Sequence, residues 1–268
     1  MENKVNAILD GLNDEQRRAV EAMDGPVLII AGAGSGKTRV LTSRVAYTLA
    51  AGVDPSTVLA LTFTKKAAGE MKERISLLVG GAKARRVVAG TFHSVFVRFL
   101  REYAEFLGYP ANFTISDTAD SIAAIKHCIK ELGLDDKVYK PKEVLSRISA
   151  AKNNLVMPES YRVNQDLINQ DLRSHKPDMH RIYTLYQRKL KESGVMDFDD
   201  ILVNMNILLR DNPEALDVLS RRFSYILVDE YQDTNEVQNA IFRAVSKNGQ
   251  NIFTVGDVKQ SIYRFRVA

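Results

Sequence analysis

Hydrophobic and polar positions along the chain fall into two regimes. Over residues 1–108, short apolar runs alternate with longer amphipathic stretches. Val27-Leu-Ile-Ile30, Val58-Leu-Ala-Leu61 and the run opening Val87-Val-Ala-Gly-Thr-Phe-His93 are compact and bounded by turn residues, as buried strands of a parallel sheet are. Helical periodicity covers 5–10, 13–23, 39–50, 67–79 and 94–107. Asn13 with Gln16 has the capping-box spacing, Gly25-Pro26 closes that helix, and Gly52 with Asp54-Pro55 marks a turn. Gly80-Gly-Ala-Lys-Ala-Arg-Arg86 reads as a flexible basic loop.

From Gly108-Tyr-Pro110 the alternation stops. Helical patterns over 116–132, 141–153 and 178–194 surround a polar stretch, 153–176, of weak periodicity. Helices are predicted again over 196–210 and 213–222. Tyr225-Ile-Leu-Val228 and Ile252-Phe-Thr-Val255 are two more strands, separated by a helix over 236–245 and a turn at Lys247-Asn-Gly249. The expectation is an α/β protein: a parallel sheet flanked by helices, built from 1–108 and 196–268, with a mostly helical subdomain inserted over 109–195.

The first strand runs into Ala31-Gly-Ala-Gly-Ser-Gly-Lys-Thr38, and a helix follows. Strand, glycine-rich turn and helix in that order form the context of a P-loop. Gly32, Gly34 and Gly36 let the backbone turn so that successive N–H groups point inward at an anion, beside the positive end of the helix. Lys37 can reach the β- and γ-phosphates, and the Thr38 hydroxyl can bind Mg²⁺. The strict pattern opens on Gly, where this chain has Ala31.

The strand Tyr225-Ile-Leu-Val228 ends in Asp229-Glu230. Downstream of a P-loop, such a pair supplies a Mg²⁺ ligand in Asp229 and, in Glu230, a group that orients or deprotonates water. The last strand leads into Gly256-Asp-Val-Lys-Gln260-Ser-Ile-Tyr-Arg264-Phe-Arg266. Gln260 can sense a γ-phosphate. Tyr263 and Phe265 can stack on bases, or can equally be core aromatics at a helix start. Thr62-Phe-Thr-Lys-Lys66 suits a phosphate-contacting or base-stacking edge, or an ordinary junction with Phe63 packed inside. Gln16 has both a capping reading and an adenine-reading one. His93 alone reads as a structural histidine, and Asp199 and Asp200 as first-turn acids on a helix dipole.

Composition narrows this modestly. The chain has 268 residues, 45% hydrophobic and 26% charged, with a formal net charge of +4. That charge is compatible with a polyanion partner and does not require one. A single cysteine, Cys128, excludes an internal disulfide and a multi-cysteine zinc site. It suits a buried or half-buried thiol in a reducing, cytoplasmic compartment. There is no signal-peptide layout at the N-terminus, and no apolar run approaches the ~18–20 residues that span a bilayer. With no tryptophan, stacking falls to Phe, Tyr or His.

Taken together, Leu-Asn-Asp-Glu-Gln-Arg-Arg-Ala-Val20, the P-loop, Leu-Thr-Phe-Thr-Lys-Lys-Ala-Ala68, Gly-Thr-Phe-His-Ser94, Asp-Phe-Asp-Asp200, Val-Asp-Glu-Tyr-Gln-Asp-Thr-Asn235 and Val-Gly-Asp-Val-Lys-Gln-Ser-Ile-Tyr-Arg-Phe-Arg266 resemble, in this order and spacing, the first half of a UvrD/Rep/PcrA-type helicase of superfamily one. The resemblance covers 12–268. It implies a RecA-like core interrupted by a helical subdomain, in an ATP-driven 3′-to-5′ translocase and helicase acting on single-stranded DNA and its junctions with duplex. Carried onto this chain, it implies that Gln16 reads adenine, and that Ala33, Gly34, Ser35, Gly36, Lys37, Thr38 and Arg39 hold the nucleotide. Thr38 and Asp229 would hold Mg²⁺, Glu230 would be the base, and Gln260 would couple the γ-phosphate to DNA. Phe63, Thr64, His93, Tyr263 and Phe265 would face single-stranded DNA. The last motif departs from the common form at Val258-Lys259 and in Phe265, which stands in a tryptophan's place; Val-Lys-Gln resembles the helicase subunits of helicase–nuclease complexes.

The resemblance also implies a second RecA-like domain as partner, with arginines that complete the ATP site; this chain does not supply it. The expectation is a fragment that binds nucleotide weakly, hydrolyses it poorly and does not unwind DNA alone. A nucleotide-binding interaction module, whose ATP binding is indifferent to DNA, is the alternative from another class. A GTPase is disfavoured by the lack of a guanine-reading Asn-Lys-x-Asp.

Overall fold

The structure, a computed structural model, describes residues 2–32, 34–246 and 251–257, with 2–5 as backbone only. The chain divides into two compact units. The first comprises 1–95, 212–234 and the chain from 242 onward; the second comprises 96–211 and 235–241.

In the first unit, five strands form one parallel sheet. They are β1 (Val27–Ile30), β2 (Val58–Thr62), β3 (Val88–Thr91), β6 (Tyr225–Val228) and β7 (Ile252–Gly256), in the order β1-β7-β6-β2-β3. All the predicted strands form. β2 is buried at every position because it lies inside the sheet, whereas β1 is an edge whose exposure alternates. Val58, Ala60, Leu227, Phe253 and Val255 pack with Val40, Leu41 and Val45 of the helix Lys37–Ala50 and with Met71 and Ile75 of Lys65–Val79. Arg44 is buried in the first of these helices. Its Nη1 donates to the Val20 carbonyl at 2.7 Å, and its guanidinium lies 5.4 Å from the centre of the Phe253 ring. The helix Asp14–Glu21 is thereby tied to the one that leaves the P-loop.

Two local readings change. The 80–86 loop contains a helical turn, Gly81–Ala84: Gly80, at φ +86°, stops the preceding helix and the chain turns again at once. The helix predicted over 94–107 runs instead over Phe92–Glu102. The Thr91 hydroxyl accepts from the Ser94 amide at 3.1 Å, so capping begins earlier than the periodicity suggested.

The second unit is mostly helical, with Thr118–Glu131, Pro141–Asn153, Met179–Glu192 and Phe198–Asp211 as its long helices. Ile125, Ile129, Ile148, Ile182, Tyr183 and Tyr186 lie in its core. The weakly periodic stretch also holds helices, Pro158–Tyr161 and Gln165–Arg173. Pro158 opens the first, and Asn164 Oδ1 caps the second by accepting from the Asp166 and Leu167 amides. A short parallel pair, β4 (Thr114–Ile115) with β5 (Val195–Met196), went unpredicted because two residues carry no period. Cys128 is buried, and burial pushes its thiol up to about 11.

Candidate active site

The site is assembled at the C-terminal ends of the sheet strands, where parallel α/β sheets bind ligands. β1 stays paired one residue past its end, with the Ala31 amide donating to the Gly256 carbonyl at 3.0 Å. The chain then folds back. The Ser35 amide and hydroxyl both donate to the Gly32 carbonyl, at 3.3 and 2.6 Å. Gly34 and Gly36 hold φ values of +75° and +83°, which a side chain would strain. Gly36 caps the helix Lys37–Ala50 and has no side chain with which to satisfy the first amides. Those amides meet the requirement for an anion site at a helix N-terminus. Ala33 lies outside the described residues.

β6 delivers the acids. The Asp229 amide continues the register by donating to the Leu61 carbonyl, and the side chain is 2% exposed. Asp229 Oδ2 accepts from Thr38 Oγ1 at 3.0 Å, and Oδ1 accepts from the Glu230 amide at 3.0 Å. Burial pushes the Asp229 carboxyl above the usual carboxylate range, against the pull of the Thr38 bond; the charge of Glu230 pushes the same way as burial. Glu230 has φ +51°, an uncommon conformation for a residue with a side chain. Lys37 Nζ lies 3.5 Å from Glu230 Oε2 and 3.9 Å from Asp257 Oδ2, and the Lys37 side chain is 8% exposed. One buried ammonium thus stands among carboxylates beside a loop shaped for phosphate. Thr38 Oγ1 and Asp229 Oδ2 are hard oxygen donors of the kind that suit Mg²⁺, which takes its remaining ligands from water and substrate phosphates. The residues present fit that ion.

Gln16 lies against the loop. Its Oε1 accepts from the Asn13 amide at 3.1 Å, completing a capping box, while its Nε2 donates to the Ser35 carbonyl at 3.0 Å. The cap and the neighbour of the phosphate loop are therefore the same side chain. A cleft of about 270 Å³ adjoins it, lined in part by Glu15, Ala19, Ile30 and Lys37. Arg39 is exposed and stands beside Gly11, where a Cβ would come within 2.7 Å of its Nη2.

Phe63, Thr64 and His93 gather where β2 and β3 end, with Thr62 and Thr91 in register. Phe63 is half-buried, its ring 5.4 Å from that of the buried Phe92. Thr64 is exposed and caps the helix Lys65–Val79 by accepting from the Ala67 amide. Burial pushes the His93 imidazole down to about 4. Gln260, Tyr263 and Phe265 lie outside the described residues.

Two site residues had no role assigned from the sequence. Gln232 sits inside the Asp-Glu-Tyr-Gln motif, but nothing in its spacing reveals what it touches. Asp257 reaches Lys37 only because β7 lies beside β1. In the second unit, Asp200 is more than a first-turn acid. It is buried and lies 2.8 Å from the buried Lys152 Nζ, which also meets Asp197 at 2.7 Å.

A phosphate-shaped loop after the first strand, facing an acidic pair after a central strand of an all-parallel sheet with a helical insertion, defines a P-loop protein of the RecA-like class. Within that class, the chain belongs to the UvrD/REP helicase N-terminal domain family, whose model matches residues 12–268. It is similar to proteins described as ATP-dependent DNA helicase PcrA. It is 44% identical to that of Bacillus subtilis (strain 168), 42% to that of Leuconostoc citreum and 43% to that of Staphylococcus aureus (strain Mu50 / ATCC 700699), each over 265 residues. Each match covers 98% of this chain and 35% of the relative, so the chain spans about a third of the length of the curated relatives it matches.

Proposed function

We propose that this chain is the nucleotide-hydrolysing part of an ATP-dependent DNA helicase that moves 3′ to 5′ along single-stranded DNA. The observation that carries the reading is the meeting of Lys37 and Thr38 with Glu230 and Asp229, at 3.5 and 3.0 Å, across 191 residues or more of sequence. Family membership and the printed name of the relatives support the substrate.

In this reading Gly34, Ser35 and Gly36, with Ala33, wrap the phosphates, and Lys37 moves from its carboxylate partners onto the β- and γ-phosphates. Thr38 and Asp229 hold Mg²⁺, which when bound neutralises phosphate charge. Glu230 takes a proton from water as the water oxygen bonds to the γ-phosphorus and the β–γ bridge breaks, giving ADP and phosphate. Gln16 turns its carboxamide to the adenine edge, and Arg39 closes the nucleotide's outer side. Gln260 links the γ-phosphate to DNA. Phe63, Thr64, His93, Tyr263 and Phe265 face the strand. His93 is neutral at physiological pH and so contributes stacking or a hydrogen bond rather than charge. The length that the relatives carry beyond this chain supplies the second RecA-like domain, and its arginines complete the site. Arginine fingers contribute about 10³–10⁵ in rate in related phosphoryl transfers.

ATP turnover with and without single-stranded DNA tests this, on the chain alone and on a protein of the relatives' full length. The expected result is strong DNA stimulation at full length, near silence in the chain alone, and loss of turnover in Lys37→Ala and Glu230→Gln. Turnover indifferent to DNA at full length would replace the motor with a nucleotide-binding module.

A further inference from the structure

Gln232 joins two parts of the site that the sequence separates. Its Nε2 donates to Glu230 Oε2 at 2.6 Å, and its Oε1 accepts from the Asp257 amide at 3.0 Å. The orientation of the carboxamide is forced. A backbone N–H can only donate, so Oε1 must face Asp257 and the NH₂ must face Glu230. Gly256 makes room for this: a Cβ there would come within 2.9 Å of Gln232 Oε1. Lys37 approaches the same Glu230 oxygen, Oε2, at 3.5 Å. Both the donor and the cation therefore fall on Oε2 and leave Oε1 as the oxygen toward which water can be drawn. Glu230 itself sits at φ +51°, a sparsely populated backbone conformation that its surroundings must hold.

We infer that Gln232 is a positioning residue for hydrolysis: it fixes which oxygen of Glu230 takes the proton from water and makes that geometry depend on the end of β7. The inference rests on Glu230 being the base. A shift of β7's end relative to β6 moves the acceptor end of Gln232, and with it the donor that holds the carboxylate. Residues 256–257, through which β7 leaves the sheet, lead directly toward Gln260 in sequence, so the device ties the base to the motif proposed to sense the γ-phosphate.

The test is steady-state turnover with saturating single-stranded DNA in a protein of the relatives' full length, together with ATP affinity. Losing a hydrogen bond to a charged group predicts a fall in kcat of about tenfold or more in Gln232→Ala, with the ATP Kd changed less than about twofold. Gly256→Ala should lower kcat comparably by crowding Oε1, and the double variant should be no slower than Gln232→Ala. Gln232→Glu keeps the acceptor for Asp257 but sets a carboxylate against Glu230, so it should be at least as slow as Gln232→Ala. Hydrogen exchange at the Asp257 amide should accelerate in Gln232→Ala and not in Gln232→Glu. Unchanged kcat in Gln232→Ala, equal losses in kcat and affinity, or full additivity with Gly256→Ala would each overturn the inference. If Glu230→Gln itself retains turnover, the assignment of the base fails first; if Glu230→Gln is silent and Gln232→Ala is not, only the positioning role falls.

Discussion

Asp229 shows what a buried acid costs and what offsets it. The carboxylate is almost wholly removed from water, and the Thr38 hydroxyl and the Glu230 amide each donate to it at 3.0 Å. Its neighbour Glu230 carries like charge. Asp229→Asn keeps an acceptor for the Glu230 amide and turns its NH₂ to Thr38 Oγ1, which can accept, while removing the desolvated charge, so it should stabilise the unliganded chain by roughly 1 kcal/mol or more. It should also abolish stabilisation by Mg²⁺–ATP, which at a hundredfold excess over Kd is worth about 2.7 kcal/mol. Thermal melts of both proteins with and without Mg²⁺–ATP check both outcomes. His93 makes a pH-dependent contribution of definite sign. Its folded-state value of about 4 lies below the usual 6.5, so the folded state resists protonation. That stability is fully present above about pH 6.5 and is lost as pH falls toward 4, by at most about 3 kcal/mol. Urea unfolding at pH 7.5 and 5 should show a smaller loss in His93→Gln than in the parent.

Elements in both units are held by apolar packing to which buried charges are added. Around the sheet, apolar side chains from sequence-distant strands and helices close one core. In the helical unit, a buried ion triad adds to the packing. Lys152, fully buried, joins the helix Pro141–Asn153 to Asp197 and Asp200 at the start of Phe198–Asp211, and the Tyr186 hydroxyl donates to Asp197 at 2.9 Å. Asp197 and Asp200 also accept from each other's amides, which caps the helix. Burial and the neighbouring Asp197 push the Asp200 carboxyl up, and Lys152 opposes this. Lys152→Met leaves two buried carboxylates facing each other without their cation. It should destabilise by about 3–5 kcal/mol, whereas adding Asp197→Asn and Asp200→Asn should recover part of the loss; urea unfolding measures both. The periodicity of 141–153 could not announce this triad, because a lysine on an amphipathic helix reads as a solvated one until its partners, 45 and 48 residues on, fold against it. Caps were the other blind spot. Pro158 and Asn164 start helices in a stretch whose polar composition hid them, and Gly80 stops one helix only to let another turn begin.

At the scale of the molecule, five parallel strands bring their C-terminal ends to one edge, and every described candidate site residue of the first unit lies at or beside that edge. The residues proposed to handle phosphate gather at the ends of β1, β6 and β7, and those of the proposed DNA-facing residues that are described, Phe63, Thr64 and His93, gather at the ends of β2 and β3. β6 pairs with both β7 and β2, so it stands between the two groups. Coupling between nucleotide and DNA should therefore pass through this strand edge. In a protein of the relatives' full length, Phe63→Ala should weaken single-stranded DNA binding by about 1–3 kcal/mol if a base stacks there. Turnover without DNA should stay unchanged. Fluorescence anisotropy with a short oligonucleotide, run alongside ATP turnover, tests the separation. No helix among the described residues is long and apolar enough to cross a membrane.

The alternation of buried strands and amphipathic helices, the glycine turn before Gly-Lys-Thr, and the acids at a strand's end are local facts, so the amino-acid sequence alone determined the fold class, the glycine-rich turn and the family. Periods of two and 3.6 residues are written along the chain, and a phosphate-binding turn needs its glycines in one place. What only the tertiary structure decided is which distant side chains share a charge or a proton. The Lys37 ammonium lies near Glu230 and Asp257, Lys152 lies between two aspartates, and Gln232 bridges Glu230 to the end of β7. Those pairings depend on strand order. In the order β1-β7-β6, the last strand of the described chain lies between the first strand and the acidic one. No local pattern encodes such an order, because it is set by how crossovers pack many residues away.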